Sequence, residues 1–200
     1  MKKHYIRSWI SLKNGEVFLN GDSFFQNTEE IDLNHFLKSL YRHLKINYTK
    51  FFKMDALSKL AFLATEVLFL HHRPDKETAL VLSNSASSLQ TDLAFYDSMN
   101  GFPSPSLFVY TLPNILLGEI SIRHSLNSEN MFFIKESFDA NLITGYTSAL
   151  FEESNNPEAL CGWIDLHNDE YDVFLCHIAQ SGRYDFNEES LKKLYSTSHE

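Results

Sequence analysis

The chain has 200 residues, 44% of them hydrophobic and 14% aromatic, with 17 phenylalanines. That supplies the core of one domain, or at most two small ones, and excludes a disordered chain. The formal net charge of −9 opposes binding to nucleic-acid phosphates and to anionic membranes.

Residues 4–12, HYIRSWISL, set Tyr5, Arg7 and Trp9 against Ile6, Ser8 and Ile10. This alternation is the period of a strand. Asn14-Gly15 is a hairpin signal, and Glu16–Leu19 reads as the return strand. Asp32 is placed to cap a helix from Leu33 to about Leu44, with Phe36, Leu37, Leu40 and Leu44 on one face. Asp55 is placed to cap a second helix. There Leu57, Leu60, Ala61, Ala64, Val67 and Leu68 recur at helical spacing, and Ala56, Leu63 and Phe69 widen the stripe. A helix this apolar is buried on more than one face, and Arg73-Pro74 ends it. Phe51, Phe52 and Met54 just before it suit a core or the centre of an interface, with core the plainer reading.

Residues 78–82, TALVL, are an unbroken apolar run, the mark of a central strand covered on both sides. A small-residue loop, Ser83–Ser88, leads to a helix over 89–99. Pro105 suits a helix start, and Pro113 breaks the segment, leaving a second half from Asn114 to about His124. A strand over 131–136, a helix over 140–153 and strands over 159–166 and 171–179 follow. The last two strands suit an antiparallel hairpin. An amphipathic helix runs through ESLKKLY, while Asn155-Asn156-Pro157 and His167-Asn168-Asp169 read as turns. There is no internal repeat, low-complexity tract or linker. The expected fold class is therefore α/β, a mixed sheet of about five strands with helices on both faces.

The stretch 131–145, MFFIKESFDANLITG, runs from a strand through a tight turn into a helix. Several enzyme folds mount a nucleophile on such an elbow. This turn offers Ser137, Phe138 and Asp139 and no cysteine. Ser137 lacks a neighbouring base, and Glu136 and Asp139 oppose its deprotonation, so it reads as a polar turn residue or helix cap. Cys161 sits in mid-strand beside Gly162 and reads as a buried, inert thiol. Cys176 and His177 point to opposite faces of a strand and form no dyad. His177 shares its face with Val173, Leu175 and Ala179, as a core or rim histidine with one hydrogen bond. His71-His72 reads as a pair favoured by a helix C-terminus. Asp165, His167, Asn168 and Asp169 carry metal-capable groups, but their spacing fits no named site. No metal or other cofactor is expected. The two cysteines exclude a disulfide-rich scaffold and fit no zinc pattern. The N-terminus, MKKHYIRSWISLKNG, is too polar for a signal peptide, and no run approaches the ~18–20 apolar residues of a spanning helix. A reduced, cytoplasmic setting and no membrane insertion are the expectation.

Five segments carry a resemblance. KFFKMDALSKLAFLATEVL resembles the "K-M-D…S-x-L…A" helix of the β-ketoacyl synthases, the condensing enzymes of fatty-acid and polyketide assembly. TALVLSNSASSLQTDLAFYDSM resembles their strand, glycine/serine loop and helix, and SPSLFVYTLPNILLGEISIRHSLNSEN the stretch before their active-site strand. MFFIKESFDANLITGYTSALFEE falls on their nucleophile elbow, and PEALCGWIDL on the strand after it. The match runs in order from about residue 48 to 166. It implies a thiolase-like half-domain, with 1–200 a single ketosynthase N-terminal-like domain. Full synthases carry a second half that this chain lacks.

Matching I-x-x-A-C onto Ile134-Lys135-Glu136-Ser137-Phe138 puts Phe138 at the family's cysteine position, flanked by Ser137 and Asp139. A phenyl ring cannot carry an acyl group. The family's two further catalytic residues, histidines or a His–Asn pair, lie in the missing half. The resemblance thus implies no catalytic residue here and no enzyme activity of the chain alone. It implies an inactive, chain-length-factor-like accessory subunit of a fatty-acid, aryl-polyene or polyketide-type pathway. A lone half is expected to bare the apolar helix at 55–70 or the 107–124 segment, and so to form a homodimer or a heterodimer with a full-length ketosynthase. Phe138 would then be a plug or wall at that interface. An acyl carrier protein is a further candidate partner. The acidic mean opposes it unless Lys50, Lys53, Lys59 and Arg73 form a local basic patch; scattered lysines are the plainer reading. Two alternatives stay open: an acyltransferase or synthase using Ser137 or Cys161 and completed by a partner chain, or an acyl-chain binding module.

Overall fold

The computed structural model describes residues 3–27, 32–154, 156–168 and 170–197. Its centre is one mixed sheet in the order β3-β2-β1-β7-β6-β4-β5, with β8 paired to β1. The strands are β1 (Tyr5–Lys13), β2 (Glu16–Leu19), β3 (Asp22–Gln26), β4 (Ala79–Asn84), β5 (Asn130–Ile134), β6 (Ala159–His167), β7 (Glu170–Ala179) and β8 (Tyr184–Asp185). Strand β4 runs parallel to β5 and β6; β6 with β7, β7 with β1, and the β1–β2–β3 meander are antiparallel.

The sheet has eight strands, not about five. The extra strands are short and lie at the margin. Strand β3 follows a second Asn-Gly turn, Asn20-Gly21, where φ is 59° and 88°; Asn14-Gly15 has φ of 50° and 79°. Both turns have the left-handed geometry whose twist suits a two-residue hairpin. Strand β8 is a two-residue rung beside β1. The strict alternation expected of β1 is also broken. The register shifts between Ile6 and Ser8, so Ile6 and Trp9 pack on one face of the sheet and Ile10 and Leu12 on the other.

The helices are α1 (Leu33–His43), α2 (Ala56–Leu68), α3 (Leu89–Ser98), α4 (Pro105–Val109), α5 (Ile115–His124), α6 (Ala140–Glu153) and α7 (Glu188–Thr197). Asp32 and Asp55 cap α1 and α2, accepting from the amides of His35 and Ser58 at 2.9 Å each. The turn read at Asn155-Asn156-Pro157 and the one ending at Asp169 fall partly outside the described residues. Helices α1, α2 and α5, with a 3₁₀ turn at Thr49–Lys53, cover one sheet face. Helices α6 and α7 cover the other. Strand β4 serves both cores, Leu80 and Leu82 on one side and Ala79 and Val81 on the other.

Ten of the thirteen residues of α2 are buried, so this helix is not the bare surface expected of a lone half. The exposed apolar side chains concentrate in the α3–α4 segment, whose later part, with Phe108, Val109 and Leu112, falls within the expected 107–124 segment. Leu89, Leu93, Tyr96, Met99, Phe102, Phe108 and Leu112 all face solvent. Neither α3 nor α4 has a buried residue. No helix among the described residues is long and apolar enough to cross a membrane.

At the end of the sheet where β6 begins, charges are buried together. The Glu158 carboxylate accepts from Arg7 Nη1 at 2.6 Å, from the Asp75 amide at 3.0 Å, and pairs with His177 Nε2 at 2.9 Å. His72 contacts Arg7 and stands 3.4 Å from the same carboxylate. Burial raises the Glu158 pKa, but His177, the Asp75 amide and Arg7 outweigh it and hold it at about 2. Burial lowers the His177 pKa, against the pull of Glu158. Phe69 stands edge-on between His177, at 5.2 Å, and His124, at 5.0 Å. Beyond it Arg123 clasps Glu66 through two hydrogen bonds of 2.8 and 2.7 Å. Burial takes the His124 pKa from 6.5 down to about 4, only partly opposed by Glu66.

Two outcomes follow for stability. Gly162 has φ +149°, and a Cβ there would stand 2.1 Å from the Phe174 carbonyl oxygen. Gly162→Ala is expected to cost about 3 kcal/mol or more in urea denaturation, because the obstruction is backbone of the neighbouring strand. The second outcome concerns pH. The folded chain keeps His124 neutral, while the unfolded chain takes up a proton near pH 6.5. Stability is therefore full above that pH and declines as pH falls toward 4. His124 alone is expected to remove about 2 kcal/mol between pH 7.5 and 5, and His124→Asn should flatten the profile by that amount.

Candidate functional site

Parallel β4, β5 and β6 bring their C-terminal ends to one edge of the sheet, where α/β folds place their sites. Strand β5 ends at Ile134, the chain turns through 135–139, and α6 starts at Ala140. The Lys135 amide donates to the Asn84 carbonyl at 2.9 Å and ties the turn to the end of β4. Asp139 caps α6, accepting from the Leu142 amide at 2.9 Å, and pairs with Lys135 Nζ at 3.1 Å. The Leu142 amide and then Lys135 hold the Asp139 carboxyl below its ordinary range. The turn, the first residues of α6 and Lys192 of α7 line a shallow groove of about 470 Å³. This is the strand–turn–helix that the sequence predicts.

The Phe138 ring of this turn packs into its own chain. Phe138 lies 5.5 Å from Phe174, edge-on, and 4.5 Å from Tyr195 of α7. The Tyr195 hydroxyl is in turn bonded to Asp172, and burial with that carboxylate raises its pKa. Ser137 is exposed and its hydroxyl has no hydrogen-bond partner among the described residues. The groove is lined by Lys135, Glu136, Asp139 and Lys192 but by no histidine. The Ser137 hydroxyl is paired with no imidazole among the described residues.

The hydroxyl-rich loop after β4 is committed to structure. Ser85 gives its amide and its hydroxyl to Asp165, at 2.8–2.9 Å. Asn84 and Ser87 exchange two hydrogen bonds, and Ser88 donates to the Thr111 carbonyl. Asp165 is thus engaged by Ser85 at the end of β4. His167 pairs with Asn168 at 3.1 Å, and Asp169 lies outside the described residues. No group of three metal-capable side chains occurs among the described residues.

The other candidates from sequence fall elsewhere. Cys161 and Cys176 are fully buried on the α6 side of the sheet, and burial pushes the Cys161 thiol up to about 12. His177 is a core histidine whose Nε2 meets Glu158 while Nδ1 has no partner. His72 does not close α2, which ends at Leu68; it reaches Arg7 and Glu158. Phe51 and Met54 are core, whereas Phe52 is exposed. Of the four cations weighed as a patch, Lys50 and Lys53 share the 3₁₀ turn and Lys59 Nζ stands 5.9 Å from the Phe51 ring of that turn. Lys50 is paired with the buried Glu119 at 2.8 Å, and Arg73 lines a groove at the C-terminal end of α2, away from Lys53 and Lys59. The buried Arg7–Glu158 and Arg123–Glu66 pairs have no local sequence signal, because their partners are 151 and 57 residues apart.

No family profile matches the sequence, and no curated protein matches it. Solved structures do match in three dimensions. A chain of the ishigamide ketosynthase/chain length factor superposes with a TM-score of 0.63 at 15% identity, over 90% of this chain and 62% of that one. A chain of the ketosynthase ApeO in complex with its chain length factor ApeC, from Xenorhabdus doucetiae, gives 0.61 at 11% identity over 98% and 91%. A chain of AntDE:AntF, a type II PKS acyl-carrier protein in complex with its ketosynthase bound to the hexaketide, gives 0.60 at 12% over 96% and 65%. The chain thus spans under two thirds of the first and third and nearly all of the second. Its mixed sheet, with helices on both faces and an elbow at the end of β5, is the thiolase-like fold of these ketosynthase and chain length factor structures.

Proposed function

We propose that this chain is a non-catalytic, chain-length-factor-like subunit that pairs with an active β-ketoacyl synthase in a fatty-acid, aryl-polyene or polyketide-type pathway. The observation that carries the reading is Phe138. The elbow keeps the geometry that would mount a nucleophile, yet its side chain is a ring packed on Phe174 and Tyr195. Decarboxylative condensation needs a nucleophile and polar donors around the developing charge, and the groove supplies neither a thiol nor an imidazole. The alternative of an acyl-enzyme at Ser137 or Cys161 is poorly served. Ser137 is paired with no imidazole among the described residues, and Cys161 is a fully buried, protonated thiol.

Two surfaces support pairing. Strand β5 is the last strand of the sheet, so one of its backbone edges lacks a strand partner among the described residues. Helices α3 and α4 present Leu93, Tyr96 and Phe108 to solvent, and the loop between them presents Phe102, 98% exposed. So many exposed apolar side chains in one segment of a chain with its own full core point to an interface. The similar length of the chain matched in the ketosynthase–chain length factor complex supports a subunit of this size in such an assembly. An acyl carrier protein finds a weaker foothold here, since Lys50 is neutralised by Glu119 and Arg73 stands apart from Lys53 and Lys59.

Co-expression with a full-length ketosynthase is expected to yield a stable heterodimer. Leu93→Glu combined with Phe108→Glu should weaken it by about 30-fold or more, as for two interface anchors. A chain that stays monomeric beside every ketosynthase offered would sink the reading. Incubation with malonyl and acyl donors is expected to leave the intact mass unchanged; an adduct on Ser137 or Cys161 would favour the enzyme alternative instead.

A further inference from the structure

The sequence holds three Asn-Gly pairs: Asn14-Gly15, Asn20-Gly21 and Asn100-Gly101. Such a pair rearranges without an enzyme when its backbone is free to turn. The glycine amide nitrogen, unshielded by a side chain, attacks the asparagine side-chain carbonyl and closes a cyclic imide. Closure needs a rotation of the asparagine backbone that carries the following nitrogen to the side chain. Whether a pair reacts therefore depends on how firmly the fold holds it.

Two of the pairs are held. Asn14-Gly15 turns β1 into β2 beside the Lys13–Glu16 rung, with φ of 50° and 79°. The Gly15 amide donates to the Tyr171 hydroxyl at 2.7 Å, and the Gly15 carbonyl accepts from the Asn27 amide at 3.0 Å. Asn20-Gly21 turns β2 into β3 beside the Leu19–Asp22 rung. Asn20 Oδ1 accepts from the Trp9 amide at 3.1 Å, while the Asn20 amide donates to the Trp9 carbonyl at 2.8 Å. Rotation at either asparagine breaks the hairpin that it closes.

Asn100-Gly101 has no such anchors. It lies just past α3, and both residues are exposed. The Asn100 side chain has no hydrogen-bond partner among the described residues. The Gly101 amide donates to the Ser98 carbonyl at 3.1 Å, at the end of a helix that has no buried residue. Helix ends without buried contacts open at little cost. A Cβ on Gly101 would meet nothing within 4 Å, so the space around its amide is open.

We propose that Asn100 converts spontaneously to aspartate and isoaspartate in the folded chain, and that the fold protects Asn14 and Asn20. Water acts as base and takes the Gly101 amide proton, and the nitrogen bonds to Asn100 Cγ. The Cγ–Nδ2 bond breaks, and Nδ2 leaves as ammonia with a proton returned from water. A second water then adds to one of the two imide carbonyls and opens the ring. One opening gives aspartate; the other gives isoaspartate, whose main chain runs through Cγ. The sum is one water consumed and one ammonia released, with no change of oxidation state. The product sets a carboxylate close in sequence to Phe102, which is 98% exposed, in the apolar segment on which the proposed pairing rests. The reaction itself does not depend on that reading.

The test incubates the folded chain at mildly alkaline pH in heavy-oxygen water, digests it in ordinary water and follows each Asn-Gly peptide by mass. The Asn100 peptide is expected to convert about tenfold faster or more than those of Asn14 and Asn20, the difference being the cost of opening the hairpins. It should carry the heavy oxygen and separate into two chromatographic forms. In denaturant the three pairs should convert at similar rates. Gly101→Ala has room for its methyl group and needs no left-handed φ. It is expected to slow Asn100 by about tenfold, because the methyl group crowds the attacking nitrogen, and to leave the other two pairs unchanged. An Asn100 peptide that stays unchanged in the folded chain, equal rates at all three pairs before denaturation, conversion without isoaspartate or without the heavy oxygen, or a Gly101→Ala rate equal to that of the native chain would overturn the proposal.

Discussion

Helix α2 gives up nearly all of its surface to the rest of the chain, and the architecture is arranged around that burial. Its residues pack on β1, β6 and β7 below, on α1 to one side and on α5 to the other. Phe62, Leu60 and Leu63 are fully buried in this arrangement. A helix with so little polar surface cannot be left in water. The polar groups near it are gathered at its ends. Asp55 caps its start and also accepts from Thr91 at 2.7 Å, which fixes α3. Glu66 holds Arg123 of α5. Beyond the last turn, His72 and the Asp75 amide join the Glu158 cluster, which ties β1, β6 and β7 together.

The cluster at Glu158 shows how such a polar group survives in a core. A lone carboxylate there would take up a proton. Arg7, His177 and a backbone amide supply enough donors to keep it charged, so removing any one leaves buried charge without compensation. His177 accepts the reverse bargain: it gains one partner and leaves Nδ1 without one. The structural role of this cluster accounts for the histidines without invoking chemistry.

Elements set by local pattern were legible in the sequence; relations between distant residues were not. The caps at Asp32 and Asp55, the all-round apolar α2, the doubly covered β4 and the β6–β7 hairpin each follow from spacing within a dozen residues. Strand β3 carried a usable signal, since Asn20-Gly21 repeats the turn motif of Asn14-Gly15, but DSFFQ is too short and too exposed to read as a strand by alternation. The bulge in β1 was hidden because HYIRSWISL alternates well enough on paper. At the elbow, the strand, turn and helix were readable, and so was the lack of a thiol. The direction of Phe138 was not, because its partners Phe174 and Tyr195 arrive from β7 and from α7 near the C-terminus. The bare surface was located only in part, since of the two segments expected to be bare, 107–124 holds the exposed Phe108, Val109 and Leu112 while α2 is buried. Apolar content alone makes α2 a candidate, whereas exposure depends on which helices find a neighbour, and α3 and α4 find chiefly each other.

The division between buried and bare helices bears on what a partner does for this chain. If α2 or α5 lay open, a partner would complete the fold, and the isolated chain would be unstable. Instead both cores close within the chain, one under α1, α2 and α5 and the other under α6 and α7. What is left over is the excursion between β4 and α5. It departs from the same edge of the sheet as the elbow, because β4 and β5 are adjacent and parallel. A subunit seated on α3 and α4 would thus sit beside the 135–139 turn. The free energy of such pairing would come from covering Leu93, Tyr96, Phe102 and Phe108, not from building a core. The elbow would meet the partner as a preformed surface rather than as chemistry. Phe138 holds that surface in shape: its ring anchors the turn to Phe174 and Tyr195 by packing.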